Sequence, residues 1–302
     1  MSIYVERLIR ASMDSVWTHT QDPSLHQRWD LRFTRIEYLP RPDPDQPQHF
    51  RYTTRLGFGL SVSGEGESLG QRDLPDGSRT SVLKFSSAQA RSLIREGRGY
   101  WKYIPTLDGV RFVTSYGYDT RFGTIGRIVD RIAFRPLIGW ATAWSFDRLR
   151  LWLEDGVEPG RAMRQAVVHG VSRIGLAFVF AYHGFVPKLL VRNPDEVAIL
   201  RDFSIPAASV GTVLVALGIA EVAFSVGLLA LWHRAWPAGF ALAFAIISTV
   251  GISAASPSYL TGAFNPLTLN VLVGCLAAVD LLSLDGLPSA GRCRRQSQGE
   301  IP

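Results

Sequence analysis

Cysteine is scarce in this chain: 302 residues hold two, Cys275 inside an apolar run and Cys293 in a basic tail. That spacing builds neither a disulfide framework nor a metal cluster, so both thiols are expected to be reduced and no metal site is expected. A secretory leader pattern is missing as well, because residues 1–20 (MSIYVERLIRASMDSVWTHT) mix charge throughout and have no continuous apolar core. The N-terminal half is therefore expected in the cytoplasm. The net charge is +6, yet the arginines are scattered instead of clustered with aromatics. This argues against nucleic acid and leaves an anionic membrane surface as the partner for the charge. Catalytic signatures are absent too. GEGESLG (64–70) and GRGYW (97–101) lie in a series of strands and not at a strand-to-helix turn, so neither reads as a phosphate loop. No Gly-x-Ser-x-Gly, His-Glu-x-x-His or Walker pattern occurs. No catalytic residue is assigned, the chain reads as a binding protein more than as an enzyme, and His19, His26 and His49 read as surface histidines.

The next absence is of charge itself. Residues 203–284 hold only Glu221, Arg234 and Asp280, whereas most charged residues lie at or before Arg173. Four apolar segments fill this second half: Ile174 to Val191, Ser209 to Leu231, Ala235 to Ser256 and Phe264 to Leu284. Each is close to the roughly 20 residues that cross a hydrocarbon core, and in lipid such segments must be helices to satisfy their own backbone. Arg161, Arg164 and Arg173 precede the first, Arg234 separates the second and third, and Arg292, Arg294 and Arg295 follow the fourth. The opposite side carries Lys188, Arg192 and Arg201 in one loop and an uncharged SAASPSYLTGA in the other. The bias places both termini in the cytoplasm of a multi-pass protein of the cell membrane. Between the first two spans, Asn193-Pro194-Asp195-Glu196 is an N-cap signal, and Val197, Leu200 and Phe203 continue at helical spacing.

YHGFVPKLL, the following NPDE, the Glu-bearing VALGIAEVAFSVGLL and the closing AFNPLTLNVLVGCLA resemble the DoxX-like family of small four-helix membrane proteins. The resemblance covers about residues 170–285. It implies a four-helix membrane domain and, through the family's redox-linked relatives, a quinone as the one cofactor to consider. Within the spans, His183 and Glu221 sit at similar depth. Ionisable residues there face the bundle interior and find partners, so His183, Lys188, Glu221, Asn265 and Asn270 form a candidate intramembrane polar site. Lys188 is expected to reach outward to water at the interface. A hydrogen bond that only holds two helices together is the competing reading.

The first half alternates like half-buried strands. IYVERLIRA (3–11) opens it, Ser12 or Asp14 caps a helix carrying Val16 and Trp17, and Asp22-Pro23 starts a second helix ending near Trp29. Strands are expected at about 33–39, 48–57, 59–72, 78–87, 97–105 and 109–121, separated by RPDPDQPQ, LPDG and LDG, with one long helix from Gly123 to about Leu153. This order of elements, together with ASMDSVWTHTQDPSLHQRWD, resembles the polyketide cyclase/dehydrase branch of the START-like (SRPBCC) superfamily over residues 3–153. The resemblance implies an α+β helix-grip domain, an antiparallel sheet wrapped on a long helix around an apolar cavity. Alternation puts Phe112, Thr114, Tyr116 and Tyr118 on one face, and Tyr52 and Thr54 on the matching face of an earlier strand. These six are the candidate ligand cavity. In the long helix, Phe134, Trp140, Trp144, Phe146 and Trp152 are expected to pack on the sheet, with contact to the bilayer beside Arg148 and Arg150 as the alternative.

The expected organisation is thus a START-like domain (1–155), a linker (156–170), a DoxX-like transmembrane domain (171–285) and a basic cytoplasmic tail (286–302). Three functions follow. The first is a membrane-anchored protein that captures a lipid, isoprenoid or polyketide-like molecule. The second is a quinone-linked accessory subunit of a membrane oxidoreductase, whose nucleotide-binding module would be a separate partner because this chain has none. The third is a structural or assembly subunit without its own ligand.

Overall fold

A computed structural model of the protein describes residues 2–41, 43, 46–57 and 59–297. Parts of the turn RPDPDQPQ and the end of the basic tail, including Pro302, lie outside them. The chain divides into two compact units, Met1–Ala162 with Pro288–Pro302, and Met163–Leu287.

In the first unit, strand β1 (Ile3–Ile9) is followed by helices α1 (Met13–Gln21) and α2 (Pro23–Trp29). Ser12 accepts a hydrogen bond from the Ser15 N–H to cap α1, and Asp22 accepts from Ser24 to cap α2. Six strands come next: β2 (Arg35–Tyr38), β3 (Gln48–Gly57), β4 (Leu60–Asp73), β5 (Arg79–Ser86), β6 (Ile94–Thr106) and β7 (Gly109–Thr120). All pair antiparallel in the order β1-β7-β6-β5-β4-β3-β2. The first strand thus joins the last, the arrangement of a helix-grip sheet. A single helix over 123–153 does not form. Instead α3 (Gly123–Val129) runs through a π-helical turn (Asp130–Phe134) into α4 (Arg135–Asp155), which Pro136 opens within its first two positions. Proline fits there because the first helical N–H groups have no partner to lose. Gly156, at φ 64°, supplies the left-handed residue that ends α4.

The core of this unit is a stack of rings between the sheet and α4. Phe112 of β7 lies 4.4 Å from Phe146 of α4 and 5.0 Å from Tyr103, and Trp29 joins them edge-on. Trp29, Tyr103, Phe112 and Phe146 are fully buried. Trp144 is buried with them, Trp140 is exposed, and Arg148 and Arg150 are buried within the unit.

The tail is part of this unit. Arg294 exchanges two 2.9 Å backbone hydrogen bonds with Glu6, pairing along the free edge of β1. Asp147 of α4, with no exposed surface, accepts from the Ser289 N–H at 2.8 Å, from Arg150 Nε at 2.9 Å and from Arg292 at 3.1 Å. The Cys293 thiol donates to the Ala143 carbonyl and is pushed up to about 12 by burial.

The second unit is helical, and residues expected as a linker already belong to a helix. Helix α5 (Pro159–His183) continues through a second π-helical turn (Gly184–Leu190). After it come α6 (Pro194–Asp202), capped by Asn193, then α7 (Ala207–Ala230), α8 (Trp236–Ala255) and α9 (Pro266–Leu282). Among the described residues, three helical stretches are long and apolar enough to cross a membrane: Pro159–Leu190, Ala207–Ala230 and Trp236–Ala255. The fourth apolar helix, α9, has 17 residues. Leu176, Phe180, Leu228, Ala241, Ala245, Val273 and Ala277 form the inner core, while Phe178, Ile219, Val226, Ile247 and Val250 point outward. A bundle apolar on both its inner and outer sides matches a lipid surround.

Candidate functional site

Side chains from β3, β7, the α2–β2 connection and the start of α4 converge on the concave face of the sheet. Gly64 and Gly66 of β4 lie opposite Tyr52 and Phe50 of β3. A Cβ at Gly66 would stand 2.1 Å from Phe50 Cζ, and one at Gly64 would stand 2.3 Å from the Tyr52 hydroxyl. These glycines therefore let rings lie flat on the sheet. Gly97 of β6 does the same for Phe85, while a Cβ at Gly99 would meet Tyr116 Cβ and the Ser115 carbonyl. The physical reason for GEG and GRG is a smooth aromatic floor.

At one end of this face lies the buried Trp29, Tyr103, Phe112 and Phe146 stack. The other end is polar. Tyr116 and Thr142 share a 2.8 Å hydrogen bond. Tyr118 donates to Asp130 at 2.6 Å, and Arg135 reaches the second oxygen of that carboxylate at 2.8 Å. Burial and the Asp130 acceptor push the Tyr118 phenol well above its ordinary value. Tyr52 donates to the Ser86 carbonyl and is pushed up to about 12 by burial. Thr54 donates to the Arg32 carbonyl, and Thr114, deeper down, donates to the Tyr100 carbonyl.

A charged cluster unmarked by any sequence motif lies beside these hydroxyls. Arg32 clamps Asp30 through Nε at 2.9 Å and Nη2 at 2.6 Å, and His26 Nε2 lies 3.0 Å from the same carboxylate. The Arg32 guanidinium lies over the rings of Phe33 and Tyr116, 5.4 Å from each. Burial pushes the Asp30 carboxyl up, but Arg32 outweighs it and holds the group far below the usual carboxylate range. His26 stacks on Trp29 and meets Phe33 and Trp101 edge-on, so it is not a surface histidine, and burial lowers its pKa. His19 bonds the Ser15 carbonyl and His49 is exposed. A separate open groove of about 600 Å³ runs along the β2 edge, lined by Gln27, Arg35, Glu37 and Arg55 among others.

In the helical unit the polar residues pair differently from the expectation. Glu221 bonds Lys188, 3.1 Å from Nζ, and not His183. Lys188 is buried and also meets Glu196 at 3.3 Å and the His183 carbonyl at 3.4 Å. It does not reach outward to water, because the π-helical turn around Pro187 rotates it into the bundle. The approach of α7 makes room for this: a Cβ on Gly218 would stand 2.8 Å from the Gly184 carbonyl. Asn265 caps α9 through the Thr268 N–H, and neither it nor Asn270 is a partner of Lys188. A second buried cluster was not visible in the sequence. His169 and Arg173 of α5 hold Asp280 of α9 at 3.0 and 3.1 Å, and all three side chains are fully buried. They also bond the Trp232 and Arg234 carbonyls, tying α5, α9 and the α7–α8 turn together. Among the described residues no group of three His, Cys, Asp or Glu side chains is placed to hold a metal ion.

The uncharacterised membrane protein YndG of Bacillus subtilis (strain 168) is 48% identical to this chain over 184 residues, which is 61% of this chain and 68% of that protein. The chain belongs to the YndG family. The DoxX-like family model matches residues 177–278 of this YndG-family protein, so the helical unit is a DoxX-like domain and the chain is a membrane protein. Solved structures resemble the first unit. A STAR-related lipid transfer protein from Xanthomonas axonopodis is 16% identical, covering 50% of this chain and 85% of that one, with a TM-score of 0.40. The di-domain ARO/CYC StfQ from the steffimycin biosynthetic pathway is 17% identical, covering 51% of this chain and 50% of that one, with a TM-score of 0.39.

Proposed function

We propose that this YndG-family protein is a membrane-anchored binding protein that holds an apolar molecule bearing an oxygen function in its helix-grip cup. The observation that carries the reading is the two-ended concave face. Packed rings lie at one end, a glycine-supported aromatic floor continues from it, and the other end carries the Tyr52, Tyr116 and Tyr118 hydroxyls, with Arg32 over the Tyr116 ring. Apolar walls with a few convergent polar groups suit such a ligand, and phenol hydroxyls on an apolar wall orient it. Apolar ligands partition into bilayers, so tethering the cup to the membrane raises the ligand concentration it meets.

The membrane half is read as four spans with both termini cytoplasmic. Parity supports this: residues 289–294 pair with the first unit, which favours an even number of crossings, and α9 would complete the three longer spans. The basic residues Arg161, Arg164 and Arg234 support the orientation.

The test is to purify the full chain from its membranes and identify bound small molecules by mass spectrometry. Tyr52→Phe and Tyr118→Phe together keep the rings and remove two hydroxyls. The reading expects a bound lipid-like molecule in the wild type and a severalfold loss in a variant that stays folded, its melting temperature lowered only by the two lost hydrogen bonds. A bound quinone that resists these substitutions would instead favour the Lys188–Glu221 region and a redox partner, and an empty wild-type protein would favour an assembly role.

A further inference from the structure

The segment FGTIGRIVDRIAFRPLIGW (122–140) leaves a row of large apolar side chains in the open. Phe122 is 58% exposed, Ile125 73%, Ile128 53%, Ile132 74%, Leu137 59% and Trp140 42%. They recur at helical spacing along α3, the π-helical turn and the start of α4, and a monomeric soluble surface rarely carries so long a bare stripe. The charges of the segment are sorted as well. Asp130 is buried and spent on Tyr118 and Arg135, whereas Arg127 and Arg131 are exposed. The face shown to solvent is therefore apolar and purely cationic. Trp140 stands at one end, where an amphipathic indole anchors a helix at a headgroup layer, and apolar Phe122 stands at the other.

We infer that residues 122–140 are an interfacial segment that docks the first unit on an anionic bilayer surface, with Ile125, Ile128 and Ile132 inserted among the acyl chains. Two features favour lipid over a protein partner. The only exposed charges match anionic headgroups, and the chain's own spans already hold this unit within reach of a bilayer. The segment follows directly from β7 and is bonded through Asp130 to Tyr118 at the polar end of the cup, so docking would present that end to the membrane. The docking itself does not depend on what the cup holds.

The experiment uses the full chain with exposed Cys275 replaced by alanine; Cys293 stays in place because it is buried. An environment-sensitive fluorophore is attached at Ile132→Cys, or as a control at Leu107→Cys in the β6–β7 hairpin at the far end of β7. Each protein is reconstituted in phosphatidylcholine vesicles with and without phosphatidylglycerol, with doxyl-labelled lipid as quencher. The expected result is a blue-shifted Ile132 probe quenched severalfold more than the Leu107 probe. Adding Arg127→Glu and Arg131→Glu should reduce that quenching to near the control, and the anionic lipid should strengthen it. Equal quenching at the two sites overturns the inference. So does a blue shift without lipid quenching, which would mean that a second copy of the chain covers the stripe. Loss of a bound molecule from the cup with quenching intact leaves the docking standing and bears only on the ligand.

Discussion

The Asp30, Arg32 and His26 cluster makes the cup sensitive to acid, and the sign follows from the two lowered pKa values. His26 stays neutral in the folded protein below the pH at which an unfolded histidine takes a proton, about 6.5. Asp30 stays ionised below the ordinary carboxylate value of about 3.9. In both cases the unfolded chain binds protons that the folded chain refuses, so stability falls as pH falls. The first loss should begin below about pH 6.5 and the second below about pH 4. Thermal melts of the wild type between pH 8 and 5 should show the first loss, and His26→Phe should flatten it. An unchanged slope in that variant would assign the loss elsewhere. Lys188 carries a comparable prediction in the membrane half. Lys188→Met leaves the half-buried Glu221 without its cation, which costs up to about 3 kcal/mol, whereas replacing both partners by apolar residues is close to neutral. A double-mutant cycle with Lys188→Met and Glu221→Leu, read by melting in detergent, should therefore be strongly non-additive. Additive losses would dissolve the pair.

Among the elements, the strands were legible because turn chemistry interrupts them. LPDG and LDG mark their hairpins, and alternation separated Phe112, Thr114, Tyr116 and Tyr118 from their neighbours on the other face. The two π-helical turns were not legible. Each inserts a residue that shifts the helical phase, so Lys188 turns inward where even spacing would carry it to the interface. The Asp30–Arg32 clamp escaped for another reason: it sits in an irregular connection without periodicity, and its partners come from distant strands. The residues 289–294 likewise carry no local signal, because their pairing with β1 and Asp147 is wholly non-local. At the α5–α7 contact, Gly218→Ala should drive a methyl into the Gly184 carbonyl and Leu189, at about 1–3 kcal/mol. Detergent melting should show that loss, while the same change at Gly227, which has nothing within 4 Å, should not.

For the molecule as a whole, the proposed even number of crossings is open to direct measurement. Single cysteines at Ser258, between α8 and α9, and at His233, between α7 and α8, should label from opposite sides of sealed vesicles. Labelling from the same side would remove α8 as a span. The 17 residues of α9 are at the lower limit for a crossing, so its flanks should sit close to both interfaces.

The return of the tail to β1 has a temporal meaning. Residues 289–294 are synthesised after every helix of the membrane half, yet Arg294 pairs with Glu6 on the open edge of β1 and Arg292 joins the cations around Asp147. The domain made first is thus finished last. During synthesis it waits with a bare strand edge, the kind of surface that pairs with other chains, until the bundle has been threaded through the bilayer. Under the proposed topology, a chain whose membrane half inserted unevenly would leave its tail on the opposite side from Glu6 and Asp147, and the sheet domain would lack these contacts.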